Sequence, residues 1–347
     1  MSRAVRNANL RPARQVIRRD KNMKRKKYWL LLLACIQVLF SFPTWGQEAG
    51  KQQKMRIGMP TRSMSSFPHI VAASKGFYRR AGFEVELIVV SSGTPAVQAV
   101  IAGDLDFTTT GNVATLAAIR GMPIRNVMVS TTATDQVLVV KPEIRRVEDL
   151  RGKTLGVAGI RTISDVSSRM LLKKYGLAPD VDVKIVALGG SSLRLTALQG
   201  GQIDGTLLSA PHNKAAVKLG FRELVFMRDL RGVPSGGLAT SLRKIQNDPD
   251  SIVRAIRATL EAIRFIKGSK EEALKLMAKE IGIKDREITS MVYDDAVKFY
   301  SDTGIPSDAS VMEEIAIAKE ILGVSREVSI SDVADWSFAR IASKGLK

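Results

Sequence analysis

The chain of 347 residues carries 53 Lys and Arg against 34 Asp and Glu, a formal net charge of +19, with one cysteine and two histidines. The single cysteine, Cys35, lies in a stretch with the pattern of a cleaved leader. Residues 47–347, which would remain after cleavage, contain no cysteine. This excludes disulfides, thiolate metal sites, iron–sulfur clusters and cysteine nucleophiles from that part. His69 and His212 are the only histidines, so a metal site built from several histidines is excluded as well.

Residues 1–46 form an N-terminal extension with the pattern of a secretory signal peptide. The basic stretch 24–27 precedes an apolar run, 28–42, and small residues for cleavage follow it. Met23 is an alternative start, because the Arg-rich stretch before it is not needed for export. The alternative interpretation is a membrane anchor, but the run is shorter than the ~20 residues that a membrane span needs.

Cys35 raises a second alternative, because Leu32 to Cys35 resembles a lipoprotein cleavage box and the cysteine would then carry a lipid anchor. The apolar run continues past Cys35, so we favour export without lipidation. The extension holds eleven Lys and Arg and one Asp, which leaves a net charge of +9 for residues 47–347. These basic residues are scattered and show no nucleic-acid motif, which favours a solvated surface with a mild preference for anionic ligands.

From Lys54 onward, short apolar strands alternate with helices, which predicts an α/β fold with mostly parallel sheets flanked by helices. Gly236 to Thr240 is predicted to return to the first group of strands, and the chain after Gln246 is predicted to be helical. The predicted strands are 55–59, 84–90, 105–109, 126–131 and 136–140 in the first group, and 154–158, 182–187, 203–208 and 223–228 in the second.

Two segments 98 residues apart follow one pattern, AVIAGDLDFTTTGN at 99–112 and ALQGGQIDGTLLSA at 197–210. Each contains an apolar helix end, a glycine turn, an aspartate and a strand that leads into small polar residues. The similarity includes the opening strands, 55–60 and 154–159. Because each repeated unit is large enough to bury its own core, the repeat predicts two similar lobes with a cleft between them.

The domain boundaries follow from this pattern. We assign 54–139 to the first part of lobe 1, 140–232 to lobe 2, and 233–347 to a return strand and C-terminal helices of lobe 1. The chain would cross between the lobes near 132–142 and 230–236. Two crossings form a hinge that can close around a ligand.

Ligands of open parallel sheets bind beyond the carboxyl ends of the strands, where loops lead into helices. Small polar residues follow three strands in each lobe, and their hydroxyl and N–H groups would form a cradle for an anion. Any one of them could be only a helix N-cap, but six junctions that converge on one cleft favour a binding site. The candidate ligand-binding residues are Arg62, Ser65, Phe67, His69, Ser92, Gly93, Thr94, Thr110, Gly111, Asn112, Gly159, Arg161, Thr162, Ser164, Ser191, Ser192 and Ser209.

Some of these candidates have a second interpretation. Arg62 and Arg161 could hold a carboxylate or sulfonate from opposite walls, or could be solvated loop residues. Phe67 could stack on a ligand or pack in the core, and His69 could contact a ligand or be structural. The same two interpretations apply to His212.

Asp106 and Asp204 follow the glycine turns of the repeat and invite a catalytic interpretation. Each lies at a strand start, away from the ligand edge, with no partner at acid/base spacing. We interpret both as turn and strand-cap residues. No catalytic residue, metal or cofactor is expected.

The motifs, in this order, resemble periplasmic substrate-binding proteins of the nitrate/sulfonate/taurine class, with the thiamine-precursor pyrimidine synthase-like domain. The resemblance spans roughly 55–342. It implies a two-lobed type II periplasmic-binding-protein fold and a receptor that delivers a small anionic or polar organic solute to an ABC permease with a cytoplasmic ATPase. The protein would be periplasmic and monomeric. The motifs that carry the resemblance are Lys75 to Tyr78, Gly82 to Glu86, Ala102 to Phe107, Val147 to Val157 and Gln202 to Gly205.

The resemblance also implies where the solute binds. Arg161 and Ile163 depart from the small residues common at their junction, which counts against a standard sulfonate or nitrate pocket. The implied positions are 62–69, 91–94, 110–112, 159–164, Ser191, Ser192 and 209–211.

Two other functions remain open on the same fold. A pyrimidine synthase or a menaquinone-pathway dehydratase is one, although the synthase resemblance implies a Cys-rich iron site and enzymes of both kinds are expected in the cytoplasm. A sensory module that presents its ligand to a membrane receptor is the other. The sequence does not separate a sensor from a transport receptor.

Overall fold

The computed structural model describes residues 52–60, 62–90, 92–160, 162–230 and 233–346. The predicted signal peptide lies outside the described residues. The described chain forms two lobes, each built on a five-stranded sheet flanked by helices. In chain order the strands are β1 Gln53–Met59, β2 Phe83–Val89, β3 Phe107–Thr108, β4 Ile124–Thr131, β5 Val137–Val140, β6 Thr154–Val157, β7 Lys184–Ala187, β8 Gly205–Leu208, β9 Arg222–Phe226 and β10 Ser235–Ser241.

The helices alternate with these strands up to β10 and then follow one another to the C-terminus, as the sequence predicts. A π-helical turn, Met277–Ile281, follows α11. The helices are α1 Phe67–Ser74, α2 Phe77–Arg80, α3 Gly93–Ala102, α4 Gly111–Ile119, α5 Ile163–Lys174, α6 Ser191–Gln199, α7 His212–Lys218, α8 Met227–Leu230, α9 Leu242–Asn247, α10 Pro249–Gly268, α11 Lys270–Leu276, α12 Arg286–Ala296, α13 Asp308–Leu322 and α14 Ser337–Ser343.

The two sheets have equivalent strand orders. Lobe 1 has the order β2-β1-β3-β10-β4, and lobe 2 has the order β7-β6-β8-β5-β9. Three parallel strands open each sheet, and the fourth position is a strand antiparallel to both neighbours. The predicted two-lobed α/β fold is confirmed.

One boundary differs from the prediction. β5 pairs with β8 and β9 in the second sheet, so lobe 2 includes this strand, which the sequence analysis assigned to lobe 1. All four residues of β5 are buried, and a continuous apolar run suits a central strand of either sheet. Only pairing with β8 and β9 decides where it belongs.

The repeat is visible in the strand register. Ile57 of β1 pairs with Phe107 of β3. Both residues of the equivalent pair in lobe 2, Leu155 of β6 and Gly205 of β8, lie 98 positions later in the sequence. A Cβ on Gly58 would lie 2.4 Å from Leu105, and a Cβ on Gly156 would lie 2.7 Å from Ile203. The same close approach of a side chain to the opening strand of the repeat, β1 or β6, therefore occurs in both lobes.

Asp106 and Asp204 occupy equivalent strand-cap positions, as expected. Asp106 accepts from the backbone N–H of Arg56 (2.8 Å) and pairs with Lys244 (2.9 Å). Asp204 accepts from the N–H of Thr154 (2.9 Å) and pairs with Lys141 (2.7 Å). Each carboxylate ties the turn of the repeat to the start of its opening strand, β1 or β6.

The C-terminal helices complete lobe 1. Helix α10 begins at Pro249 after Asp248, and its apolar face is buried in the same cluster as β1 and α1. Ile252, Ile256 and Ile263 of that face are each fully buried. Among the residues that the structure describes, no helix is both long enough and apolar enough to cross a membrane.

β10 enters lobe 1 through two glycines. Gly236 has φ +69°, and a Cβ there would lie 2.6 Å from the carbonyl oxygen of Ser65. Gly237 has φ +138°, and its Cβ would lie 2.1 Å from the carbonyl oxygen of Met128 in β4. Only glycine combines these dihedral angles with so close an approach of backbone to backbone.

The Asp204 pair gives a pH-dependent test of stability. Burial raises the pKa of Asp204, but its bonds to Lys141 and Thr154 outweigh burial and hold the pKa below its usual value. We expect Asp204→Asn to lower the free energy of unfolding by about 1–2 kcal/mol at neutral pH. The difference should persist above the unfolded aspartate pKa, near 4, and disappear as the pH falls through the lower folded value. Urea unfolding measures both.

Asp104→Asn is the matched control, because Asp104 is exposed and belongs to the equivalent turn of lobe 1. Equal stability of Asp204→Asn and the wild type at neutral pH would contradict the strand-cap role.

Candidate solute-binding cleft

A cavity of about 550 Å³ lies between the two lobes, beside the hinge. Its lobe 2 wall includes the start of α6 and the loop after β8, and its lobe 1 wall includes the loop after β1 and one face of α13. Residues Thr134 to Gln136 and Val233 to Ser235, from the two chain crossings, also line it. The cavity therefore has the place that the sheet topology predicts for a ligand.

Six of the predicted residues line this cavity. They come from both lobes and bring hydroxyl, amide and guanidinium groups to it. These six are Arg62, Ser65, Asn112, Ser191, Ser192 and Ser209.

The other predicted residues do not line the cavity. Thr162 is a helix cap whose hydroxyl accepts from the N–H of Asp165, and Ser164 accepts from the N–H of Ala158. Arg161 lies outside the described residues. The predicted residues away from the cavity are Phe67, His69, Ser92, Gly93, Thr94, Thr110, Gly111, Gly159, Thr162 and Ser164.

The structure corrects the expectations for Phe67 and His69. Both are fully buried in lobe 1, because α1 turns that face towards the core. His69 Nδ1 lies 3.0 Å from the Tyr78 hydroxyl, which is also bonded to Thr259. Burial lowers the pKa of His69 to about 4, so its ring is neutral at physiological pH. This histidine holds the core together and does not reach a ligand.

Arg194 is the main source of charge behind the lobe 2 wall. Its side chain is 4% exposed and donates to the carbonyl oxygens of Gly189 (3.1 Å) and Leu207 (2.5 Å). It also donates to the hydroxyls of Ser191 (3.1 Å) and Thr206 (3.2 Å). Among the described residues no carboxylate pairs with it, so its partners there are neutral hydroxyl and carbonyl groups.

The charge of Arg194 affects the neighbouring His212. Its Nε2 lies 2.9 Å from the Ser192 hydroxyl at the cavity wall. Burial, together with the nearby Arg194, lowers the pKa of His212 below its usual value. The ring is therefore neutral at physiological pH, and the lobe 2 wall presents serine hydroxyls in front of one buried cation.

The loop 62–66 of the lobe 1 wall is held by backbone contacts. The Ser130 hydroxyl donates to the Ser65 carbonyl (3.0 Å), and the Tyr300 hydroxyl donates to the Met64 carbonyl (2.9 Å). Arg62 is partly exposed and pairs with Glu280 of the C-terminal region at 2.6 Å. Its guanidinium would have to share or leave that carboxylate to bind an anion.

Sequence reasoning missed the contribution of α13. Glu314 lines the cavity with Ile317, Ala318 and Ile321, which are spaced at i, i+3, i+4 and i+7 on one helix face. Burial raises the pKa of Glu314 to about 7, although the Thr115 hydroxyl bonds to its carboxylate. The available signal was an acidic residue within an apolar stripe.

Asp135, in the first chain crossing, was also missed. Burial raises its pKa, although the Ser209 hydroxyl, the Ala210 N–H and the nearby Arg228 favour the ionised form. Asp135 of the hinge therefore lies beside the loop after β8, and both line the cavity. A polar residue in a connecting segment gives no sequence signal that separates this role from solvent exposure.

No group of three or more His, Asp or Glu side chains in the described part of the chain could hold a metal ion. The polar groups at the cavity are hydroxyls, amides and single charges that suit an organic solute.

The model of the NMT1/THI5-like family matches residues 63–273 of this sequence. The chain belongs to the NMT1/THI5-like family. The match covers more than half of the chain and includes the lobe 1 loops, all of lobe 2 and β10. The resemblance stated from the sequence motifs is confirmed.

Relatives of this NMT1/THI5-like protein are named for different ligands. The taurine-binding periplasmic protein of Escherichia coli is 29% identical over 174 residues, or 50% of this chain and 53% of the relative. A riboflavin-binding protein of Chloroflexus aurantiacus is 22% identical over 245 residues, or 68% of this chain and 69% of the relative.

A solved structure shares the fold. The periplasmic aliphatic sulphonate binding protein of Escherichia coli superimposes with a TM-score of 0.69 at 19% identity. The superposition covers 82% of this chain and 92% of that protein. The fold of this family member is therefore that of a periplasmic binding protein.

Ion pairs connect the lobes of this NMT1/THI5-like protein beside the cleft. Lys214 of lobe 2 is 5% exposed and pairs with Glu223 of its own lobe (3.0 Å) and with Asp295 of α12 in lobe 1 (2.5 Å). Lys218, one turn further along α7, pairs with Asp285 (2.7 Å). These contacts favour the relative orientation of the lobes seen here.

Breaking the Asp295 contact should loosen that orientation. In Asp295→Asn, Lys214 keeps its partner in lobe 2 but loses most of its attraction to lobe 1, so we expect a broader distribution of distances between the lobes. Spin labels on cysteines introduced at exposed Val181 and Met312 would report it by electron–electron resonance. Asp294→Asn is the control, because Asp294 pairs with Lys270 within lobe 1. An unchanged distribution in Asp295→Asn would contradict the role of this pair.

Proposed function

We propose that the protein is an extracytoplasmic receptor that captures a small organic solute in the cavity between its lobes and delivers it to an ABC importer. The main support for this proposal is the cavity itself. Serine hydroxyls of lobe 2 line it in front of the buried Arg194, which has no carboxylate partner among the described residues, and polar groups of lobe 1 line the other side. An anionic or strongly polar group of the solute would bind at the lobe 2 wall, because it would neutralise this cation at short range.

The size and lining of the cavity favour an organic solute over a small inorganic anion. A volume of about 550 Å³ lies in the usual range for organic ligand pockets. Apolar side chains from both lobes, including Leu116, Ile163, Met170 and Met227, would pack against the body of the solute. The names of the relatives, which include taurine and riboflavin, support a receptor without deciding which solute it takes.

The partners and location follow from the same proposal. The protein would work as a periplasmic monomer that docks on a membrane permease with a cytoplasmic ATPase. The signal-peptide pattern of residues 1–46 and the periplasmic binding proteins among the relatives support export. Since these relatives are binding proteins, we propose no enzymatic activity.

Closure of the cleft would be the mechanism of capture. The two crossings lie side by side, because Ser235 of β10 pairs with Thr131 of β4 and its carbonyl accepts from the Thr131 hydroxyl. A small rotation at these segments moves whole lobes, as in other hinged binding proteins. Only a solute that contacts both walls stabilises the closed form.

A thermal-shift screen tests the proposal. Residues 47–347 would be mixed with sulfonates, nitrate, aromatic carboxylates, pyrimidines and amides, since a ligand at 100 times its Kd adds about 2.7 kcal/mol to stability. We expect a shift with an organic anion or polar organic solute and no chemical change of it. Shifts with none of these compounds, or turnover of one, would contradict the proposal.

Arg194 provides the matched mutational test for whichever anion the screen identifies. We expect Arg194→Gln to weaken its binding by about 1.5–3 kcal/mol, because the charge behind Ser191 is lost. Arg145→Gln removes a charge from an exposed position of lobe 2 that does not line the cavity and should leave Kd unchanged. Titration calorimetry measures both, and equal Kd values for Arg194→Gln and the wild type would remove Arg194 from the site. Arg161 stays a prediction.

A further inference from the structure

Glu314 is an acidic residue in the apolar part of the cavity. It shares its helix face with Ile317, Ala318 and Ile321, and Leu116 of α4 lines the same wall. No Lys, Arg or His pairs with Glu314 among the described residues. The hydroxyl of Thr115 faces its carboxyl group, and burial raises the pKa of Glu314 to about 7.

The carboxyl group lies beside a hydrogen-bonded group of the lobe 1 sheet. The Thr115 hydroxyl accepts from the side-chain amide of Asn126 at 2.9 Å, so its own proton is available for Glu314. The same amide donates to the Gly111 carbonyl at 3.2 Å, and Asn126 belongs to β4. Asn126 therefore orients the hydroxyl that faces the carboxyl group of Glu314.

An unpaired carboxylate in apolar surroundings is costly, because it loses hydration and gains no cation in return. An apolar residue at this point of the helix face would pack beside its neighbours without that cost. The packing of lobe 1 therefore gives no reason for an acid here. A cation supplied by the solute does.

The two walls of the cavity have opposite character. Lobe 2 presents serine hydroxyls in front of Arg194, whereas the α13 face of lobe 1 presents one carboxyl among apolar side chains. A solute with an ammonium group at one end and an anionic group at the other would match both walls. Its middle would contact the apolar lining.

We propose that Glu314 binds an ammonium group of the solute, so that the receptor prefers zwitterionic solutes with an apolar body to simple anions. This inference rests on the proposed receptor function and names its substrate class. An ammonium group and a carboxylate form a charge-assisted hydrogen bond, which stabilises both charges once water is excluded. Closure would bring the two charged ends of the solute against the two lobes at once.

Matched pairs of compounds test this. The probes are 6-aminohexanoate against hexanoate and 6-aminohexane-1-sulfonate against hexane-1-sulfonate, with Kd values from titration calorimetry. We expect the wild type to bind the amino compound of a pair at least about tenfold more tightly. Glu314→Gln keeps the shape of the side chain and removes its charge, and the preference should fall to within about twofold of unity.

Two further variants keep the test independent of folding. Glu320→Gln lies on the exposed side of the same helix and should keep the full preference. Glu314→Leu removes the unpaired acid altogether, so the lobe should remain folded, and the preference should again be lost. Thermal unfolding of each variant confirms that the loss does not come from damage to α13.

A pH series gives a readout that a purely structural role would not produce. Because an ammonium group binds the ionised carboxyl, the wild-type preference should fall by up to about tenfold per unit as the pH drops below 7. Among the described residues, the other titratable groups lining the cavity are Arg62, Asp135 and His212, and they remain in Glu314→Gln. The variant should therefore show no such pH dependence of the preference.

The outcomes separate this proposal from the receptor function. Equal binding of both members of a pair by the wild type, or an unchanged preference in Glu314→Gln, overturns the role of Glu314 and leaves the receptor function standing. Absence of binding by either pair overturns the zwitterionic substrate class, and the thermal-shift screen then decides the receptor function by itself.

Discussion

The strand β10 lies antiparallel between β3 and β4 of lobe 1, and the rest of the structure depends on this insertion. It returns the chain from lobe 2, so the lobes are joined by two neighbouring segments that can bend together. It also delivers the C-terminal helices to lobe 1, where α10 completes the core and α13 reaches the cavity. The insertion is possible because Gly236 and Gly237 allow backbone to approach backbone more closely than any Cβ permits.

The repeat gives both lobes the same arrangement of strand ends at the cavity. In each half, an aspartate holds the turn before β3 or β8 against the neighbouring strand, β1 or β6, and a glycine in that neighbouring strand lies close to a Leu or Ile side chain. The carboxyl ends of the strands are thereby aligned at one edge. Polar residues of both lobes face a shared cavity there, although some predicted hydroxyls, those of Thr110, Thr162 and Ser164, bond within their own lobe instead.

Two charged groups of the cleft have no oppositely charged partner among the residues that the structure describes. Arg194 is buried in lobe 2 with hydroxyls and carbonyls around it, and Glu314 lies in lobe 1 with one hydroxyl. Each costs free energy in the empty receptor because a charge in low dielectric is poorly solvated. Under the proposed function, a solute of complementary charge would relieve both costs, which would link affinity to closure of the lobes.

The sequence by itself determined the alternating strands and helices, the repeat at 98 residues, the two lobes and the family, because each depends on local periodicity and short motifs. It also placed Ser191, Ser192 and Ser209, since strand ends predict the ligand edge of a parallel sheet. Only the tertiary structure decided that β5 belongs to lobe 2, that Phe67 and His69 are core residues, and that Glu314 lines the cavity. The local pattern of an apolar strand or a helix face does not specify which element it packs against, because that partner is set by long-range tertiary contacts.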